Sequence, residues 1–291
     1  MYIRMVTYIL LFSFLGLEAI SQITQLPNLS QKSDESFGFP WARGARPYME
    51  GGYGLTIPRH KKFEGDFARL GTGELRMGYS KIKAYKEFVL DLDELYVFGG
   101  YYSQELDILE SEQPTEKTNL KVTRFGVGNR LGFGYKIWFL SVLPFNEVGF
   151  DLTRVDSERL EDISNNDRDI LDRYEGSYRF GLSTAGGVNF QLFKSLSAVV
   201  SYDASVIYPR VVFFPWLGGI IVQTFIVGGV SRFAQDIVDR SPLLGPIMYA
   251  ILRNAAAYGV YLGMREYQYW PIKSETPLTH ESLKVGFSIT F

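Results

Sequence analysis

The chain has 291 residues, no cysteine, 19 tyrosines, 22 phenylalanines and 29 glycines, and a formal net charge of −2. Without cysteine there is no disulfide framework, no thiolate metal site and no cysteine nucleophile. The near-neutral balance argues against a nucleic-acid partner, which would call for a basic face.

At the N-terminus Arg4 precedes an apolar run, Val6–Leu17, and Ala19-Ile20-Ser21 follows it. A basic start, a short apolar stretch and small residues ahead of a cleavage point form the layout of a secretory signal. The run is too short for an ordinary membrane span. Residues 1–21 are therefore expected to be a signal peptide cleaved near Ser21-Gln22. Residues 22–46, polar and containing Ser, Pro and Gly, read as an extended segment ahead of the main fold, which then occupies 47–291.

From residue 47 onward the dominant pattern is a period of two, the mark of strands. Strands of less regular phase are expected at about 47–57, 66–80, 88–103 and 143–155. Between them Phe125, Val127, Leu131, Phe133 and Tyr135 alternate with Arg124, Gly126, Gly128, Arg130, Gly132 and Gly134. The clearest case is Tyr174–Leu192, with Phe180, Leu182, Val188 and Phe190 on one face and Arg179, Ser183, Asn189 and Gln191 on the other. After a turn at Phe193-Lys194-Ser195 the pattern resumes through Tyr208. It returns at Leu283–Phe291, where Leu283, Val285, Phe287, Ile289 and Phe291 share a face.

A soluble sandwich would point its large residues into a core and a polar face at water. Here the strands are long and the face opposite the aromatics carries Gly, Ser, Asn and isolated charges. That combination fits a closed barrel in lipid, apolar outside and polar within. Long charged loops at 105–119 and 156–173 alternate with short turns, as they do in such barrels. The expected fold is an all-β, antiparallel transmembrane barrel of 8–10 strands.

The ending Leu283–Phe291 resembles the terminal strand of bacterial outer-membrane β-barrels, in which an alternating apolar strand ends in phenylalanine. The resemblance implies a Gram-negative outer membrane, lipid around the barrel, both termini on the periplasmic side, and recognition by the barrel-assembly machinery through the strand ending at Phe291.

One stretch breaks the pattern. Val211–Val230 is twenty residues without a charge, long enough for a transmembrane helix, yet Gly218-Gly219, Gly228-Gly229 and β-branched residues weaken its helical propensity. Ser231–Arg240 reads as helix; Ser241-Pro242 reads as a break and restart; Leu243–Tyr258 reads as a second apolar helix. In one placement 211–265 is a hydrophobic helical hairpin outside or across the barrel mouth, part of an insertion near 211–257 in an eight-stranded barrel. In the other, Val211–Val230 and Tyr258–Tyr269 are two further strands flanking a periplasmic helical insert. The alternation of Tyr258, Val260, Leu262 and Met264 tips this reading towards ten strands.

Charges in the lumen phase are Glu74, Arg76, Arg124, Arg130, Glu175, Arg179, Asp203 and Lys284, joined by Glu147 and Asp151 if their strand keeps phase. In so small a barrel they are expected to form a structural network. The two histidines, His60 and His280, fall near the loop rim on neighbouring strands and make no metal set. No phosphate loop or zinc pattern is present, and no cofactor is expected. His280-Glu281-Ser282 resembles the His-x-Ser of outer-membrane lipid A deacylases, which implies Ser282 as nucleophile and His280 as base. Three functions are carried forward. The first is a non-enzymatic structural or surface-binding barrel, with 211–257 as a contact element for a protein partner. The second is transport of a small or hydrophobic solute with that insertion as plug or gate. The third is lipid hydrolysis.

Overall fold

A computed structural model describes residues 44–86, 88–108, 117–158 and 163–291. The expected signal segment, 1–21, and nearly all of the segment 22–46 lie outside them.

Eight strands form one closed antiparallel barrel in chain order. They are β1 (Arg46–Arg59), β2 (Leu70–Lys86), β3 (Val89–Ser103), β4 (Asn119–Ile137), β5 (Leu140–Glu158), β6 (Tyr178–Gln191), β7 (Leu196–Ile207) and β8 (Leu278–Thr290). Closure is made by β1 on β8, in register from Tyr48 opposite Thr290 to Arg59 opposite Thr279. The shortest strand has 12 residues, more than the roughly 9–11 that a tilted strand needs to cross a bilayer. The strands meet in tight turns at one end, after β2, β4 and β6; the other end, the loop end, carries the longer connections.

The period of two decides what faces where. On β8 the even residues His280, Ser282, Lys284 and Ser288 are buried in the lumen, while Leu283, Val285, Phe287 and Ile289 are exposed outside. The same split holds for Leu75, Met77 and Tyr79 against Glu74, Arg76 and Ser80 on β2. The β4 glycines serve two purposes. A Cβ on Gly128 would sit 2.6 Å from the Tyr96 ring, so this glycine makes room for a lumenal side chain. At Gly126, Gly132 and Gly134 a Cβ would meet carbonyl oxygens of β5 within about 2.2 Å, so these three allow two backbones to approach.

Three α-helices and a 3-10 turn at Gln104–Leu106 accompany the strands among the described residues: α1 (Asn165–Asp172) at the loop end, α2 (Phe213–Arg240) and α3 (Gly245–Glu266). The preference for ten strands is therefore corrected to eight. Where Val211–Val230 and Tyr258–Tyr269 are expected as two strands, Phe213–Val230 and Tyr258–Glu266 are helix, and the helical insertion extends past 257 to Glu266. The physical reason is closure. With β8 paired to both β1 and β7, no sheet edge is left to satisfy another strand, and the inserted segment satisfies its backbone within itself as helix. The helical period was also present in the sequence: beyond its first turn, the buried residues of α3 are Tyr249, Arg253, Ala257, Val260, Tyr261 and Met264, spaced for one helix face. The restart also moves. Ser241 to Leu244 form the turn, and Pro246 takes the first helical turn where Pro242 had been expected.

The two helices form a hairpin against the outside of the barrel wall. Near the loop end Val260, Tyr261 and Met264 of α3 pack on Phe150, Leu182, Ala204 and Val206, all outward-facing strand residues. Near the turn end Tyr249 packs edge-on against Phe133, with ring centroids 4.8 Å apart. Ala234 and Val238 of α2 join the same cluster. The hairpin runs the full height of the barrel. Tyr85 at the foot of β2 donates to the Asp239 carboxylate, while Lys61, just beyond β1 at the loop end, pairs with Glu266.

Candidate functional site

The lumen is the place where the chain concentrates its buried charge. Seven strands contribute to one network: Glu50 from β1, Glu74 and Arg76 from β2, Glu94 from β3, Arg124 and Arg130 from β4, Glu147 and Asp151 from β5, Asp203 from β7 and Lys284 from β8. Arg130, wholly buried, donates to Glu147 at 2.5 Å, to Glu50 at 2.8 Å and to Glu94 at 2.8 Å. Arg76 donates to Glu74 and to Glu147, each at 2.7 Å. Arg124 donates to Asp151 at 2.8 Å, and Lys284 donates to Glu74 at 2.8 Å. Rings complete the packing: Arg76 lies over Tyr96, Arg124 over Phe98 and Arg130 over Phe145. Charges this deep persist only when each is paired and hydrogen-bonded.

Apolar layers close the network at both ends. Towards the turns Leu90, Leu92, Leu143, Phe145 and Val199 form one buried cluster. Towards the loops Leu70, Tyr102, Leu120, Val122, Val155 and Leu278 from the strands meet Ile170, Leu171 and Tyr174 of the α1 region. That lid is pinned in place. The Ser164 hydroxyl caps α1 by accepting from the Asp167 amide, and the Asp167 carboxylate accepts from the Glu64 and Gly65 amides at 2.8 and 3.0 Å. The Leu278 amide donates to the Tyr174 hydroxyl at 2.9 Å. Among the described residues the lumen is occupied by buried side chains between two apolar layers, with a small cavity beside Glu50, Glu74, Arg76, Ser201 and Lys284.

Of the eight lumen charges expected from sequence, the structure brings six together: Glu74, Arg76, Arg124, Arg130, Asp203 and Lys284. Glu147 and Asp151 join them. Two stand apart. Glu175 lies ahead of β6, in a bridge with Val155, because the regular strand begins only at Tyr178. Arg179 is half-buried at the loop end of β6, and its Nε has no hydrogen-bond partner. Sequence reasoning missed Glu50 and Glu94. Each stands on a strand of irregular phase: Glu50 shares parity with Gly52 and Gly54 but alternates with Gly51, and Glu94 shares parity with the large rings of Tyr96 and Phe98, so local alternation carried no signal for either.

His280 and Ser282 also face the lumen and are buried. The Ser282 hydroxyl shares a 2.7 Å hydrogen bond with Thr56, which in turn contacts Thr72. Neither ring nitrogen of His280 has a partner. A nucleophile–base pair needs the two side chains in hydrogen-bond reach and a substrate able to arrive, and this arrangement offers neither. His60 is separate from His280. It lies just past β1, bonded to the Thr276 carbonyl at 3.1 Å, and burial pushes its imidazole below the usual histidine range. No group of three or more metal-ligating side chains occurs among the described residues.

Around this filled lumen runs an apolar outer surface. Met49, Leu75, Met77, Tyr79, Val97, Leu283, Val285, Phe287 and Ile289 are exposed on the strands, and Ile221, Val222, Phe225 and Ile226 are exposed on α2. A closed sheet, polar within and apolar without, is what a bilayer demands of spanning strands. The chain has the architecture of a small outer-membrane β-barrel. Among solved structures it is similar to Neisserial surface protein A, at 9% identity and a TM-score of 0.40, covering 84% of this chain and 97% of that one. It is also similar to Ail, the attachment invasion locus protein of Yersinia pestis, at 7% identity and a TM-score of 0.31, covering 85% of this chain and 99% of that one. No family model and no curated protein sequence matches the chain.

Proposed function

We propose that this chain is a non-enzymatic outer-membrane barrel with a structural or surface-binding role. The observation that carries the reading is the lumen: paired charges in the middle, an apolar layer below and a pinned apolar lid above. Such a barrel does not conduct, so its work falls to its surfaces. The loop end is the surface best built for contact. There α1 and the connections after β1, β5 and α3 are tied together through Asp167, Tyr174 and the His60–Thr276 bond. The proposal includes export through cleavage near Ser21-Gln22 and insertion by the barrel-assembly machinery through β8.

Transport with the insertion as plug or gate finds no support in the geometry, because the hairpin packs on the outside of the wall. The hydrolase reading lacks a reachable Ser282. Planar-bilayer recordings of the purified chain test the proposal: no steady conductance above lipid background is expected, and a stable channel of defined size would overturn it.

A further inference from the structure

We propose that the α2–α3 hairpin spans the outer membrane beside the barrel, with the outward face of α2 in contact with acyl chains. The inference rests on the reading of the barrel as a membrane protein and extends that reading from strands to helices.

Three observations lead to it. The first is length. The uncharged part of α2, Phe213–Val230, rises about 27 Å at about 1.5 Å per residue, close to the roughly 25 Å apolar band of outer-membrane barrels. Charge returns immediately afterwards at Arg232, Asp236, Asp239 and Arg240.

The second is polarity, which is inverted relative to a surface helix in water. The residues of α2 turned away from solvent include Gln223 and Ser231, while Phe214, Phe225 and Phe233 are 81%, 72% and 62% exposed. Gln223 reaches inward and donates to the Trp270 carbonyl at 2.9 Å; Ser231 returns its hydroxyl to the Val227 carbonyl. On α3 the polar groups also point at the wall: Arg253 donates to Asn146 at 3.1 Å, and Asn146 donates to Asn254 at 2.9 Å. Over Phe213–Val230 α2 hides Gln223 and presents Phe214 and Phe225, as a helix built for lipid does.

The third is level. The Val238 backbone touches the Gly245 position, where a Cβ would lie 2.3 Å from the Val238 Cα, and Ala234 and Tyr249 share a cluster. Continuing this antiparallel register sets Val230 beside Arg253. The uncharged stretch of α2 therefore ends at the level where α3 turns Arg253 and Asn254 to Asn146 on the wall.

The absence of cysteine allows a direct test on the full-length chain. Spin labels are placed singly by F225C and I221C on α2, V285C on the outer face of β8, and E64C in the first long loop, in phosphatidylcholine–phosphatidylglycerol vesicles. Accessibility to oxygen, which partitions into lipid, is compared with accessibility to a water-soluble nickel chelate. The proposal expects F225C and I221C to match V285C, each with an oxygen-to-nickel ratio severalfold above that of E64C. If F225C behaves like E64C while V285C remains lipid-facing, the hairpin proposal fails and the membrane barrel stands. If V285C is also nickel-accessible, the membrane reading itself fails. Low access to both reagents at F225C would mean that protein covers α2, a second copy or a partner, and would overturn contact with acyl chains.

Discussion

Ile207 and Leu278 are direct partners across β7 and β8, although residues 208–277 lie between them in the chain. The insertion that contains both long helices thus leaves and re-enters the barrel at adjacent points of the loop end. The sheet closes without it, and the hairpin is an attachment to a barrel whose register is already complete.

Replacing residues 209–276 with a short Asn-Gly-containing turn should therefore leave an eight-stranded barrel that still folds. On the outer wall Phe150, Leu182, Ala204 and Val206 exchange helix for lipid, a change of small apolar consequence. Asn146 loses both Asn254 and Arg253, which costs about 1–3 kcal/mol. Urea titration in vesicles should show a lowered midpoint with a retained cooperative transition. Failure to recover any folded barrel would contradict the independence of sheet and hairpin.

The lumen network holds six carboxylates, from Glu50, Glu74, Glu94, Glu147, Asp151 and Asp203, against four cations, Arg76, Arg124, Arg130 and Lys284. Losing a cation should thus cost more than losing a carboxylate. Arg130→Met leaves Glu94 without a cation and Glu50 and Glu147 sharing Arg76 alone, and is expected to destabilise by about 3–5 kcal/mol. Glu94→Gln keeps an acceptor for Arg130 and Ser80 and should cost roughly 1 kcal/mol or less. Equal midpoint shifts for the two variants would contradict the pairing described.

Gly128→Ala pushes a methyl into the Tyr96 ring, which is held by Glu147 at 3.1 Å and stacked under Arg76. A loss of about 1–3 kcal/mol is expected. In a Tyr96→Leu background the same substitution should cost much less, and the double-mutant cycle measures the coupling. Additive effects would mean that the ring and the glycine are independent.

His60 supplies a pH dependence at the loop end. Burial lowers its folded pKa below the ordinary 6.5, so the opened state binds a proton more readily than the closed one. The stability of the loop crown is then full above about pH 6.5 and falls as pH drops below it, levelling off beneath the folded pKa. Hydrogen exchange at the Glu64 and Gly65 amides, corrected for intrinsic rates, should show weaker protection at about pH 5 than at about pH 8. His60→Gln should flatten the difference; an unchanged profile in that variant would assign the effect elsewhere.

Much of the barrel was legible in the sequence, because a period of two survives wherever one face meets lipid and the other a packed lumen. Leu283–Phe291 and Tyr178–Leu192 show it without interruption. The hairpin was harder to place. Its residues satisfy two periods at once: Tyr258, Val260, Leu262 and Met264 alternate, while Ala257, Val260, Tyr261 and Met264 form a helix stripe. Only closure of the sheet decides between them, and closure is a property of the whole chain. The lumen partners Glu50 and Glu94 were missed for a related reason. Their strands carry glycine or charge on both faces, as at Asp91 and Asp93 beside Leu92 and Glu94, so local alternation does not reveal the inward side.

The most direct test of a closed membrane barrel is electrophoresis of detergent-extracted outer membrane with and without boiling. The account predicts that the chain is found in the outer-membrane fraction and that its mobility shifts on boiling, as a detergent-resistant barrel opens into an unfolded chain. A single unchanged band, with the chain recovered from the inner membrane, would contradict it and leave α2 as an ordinary membrane-spanning helix.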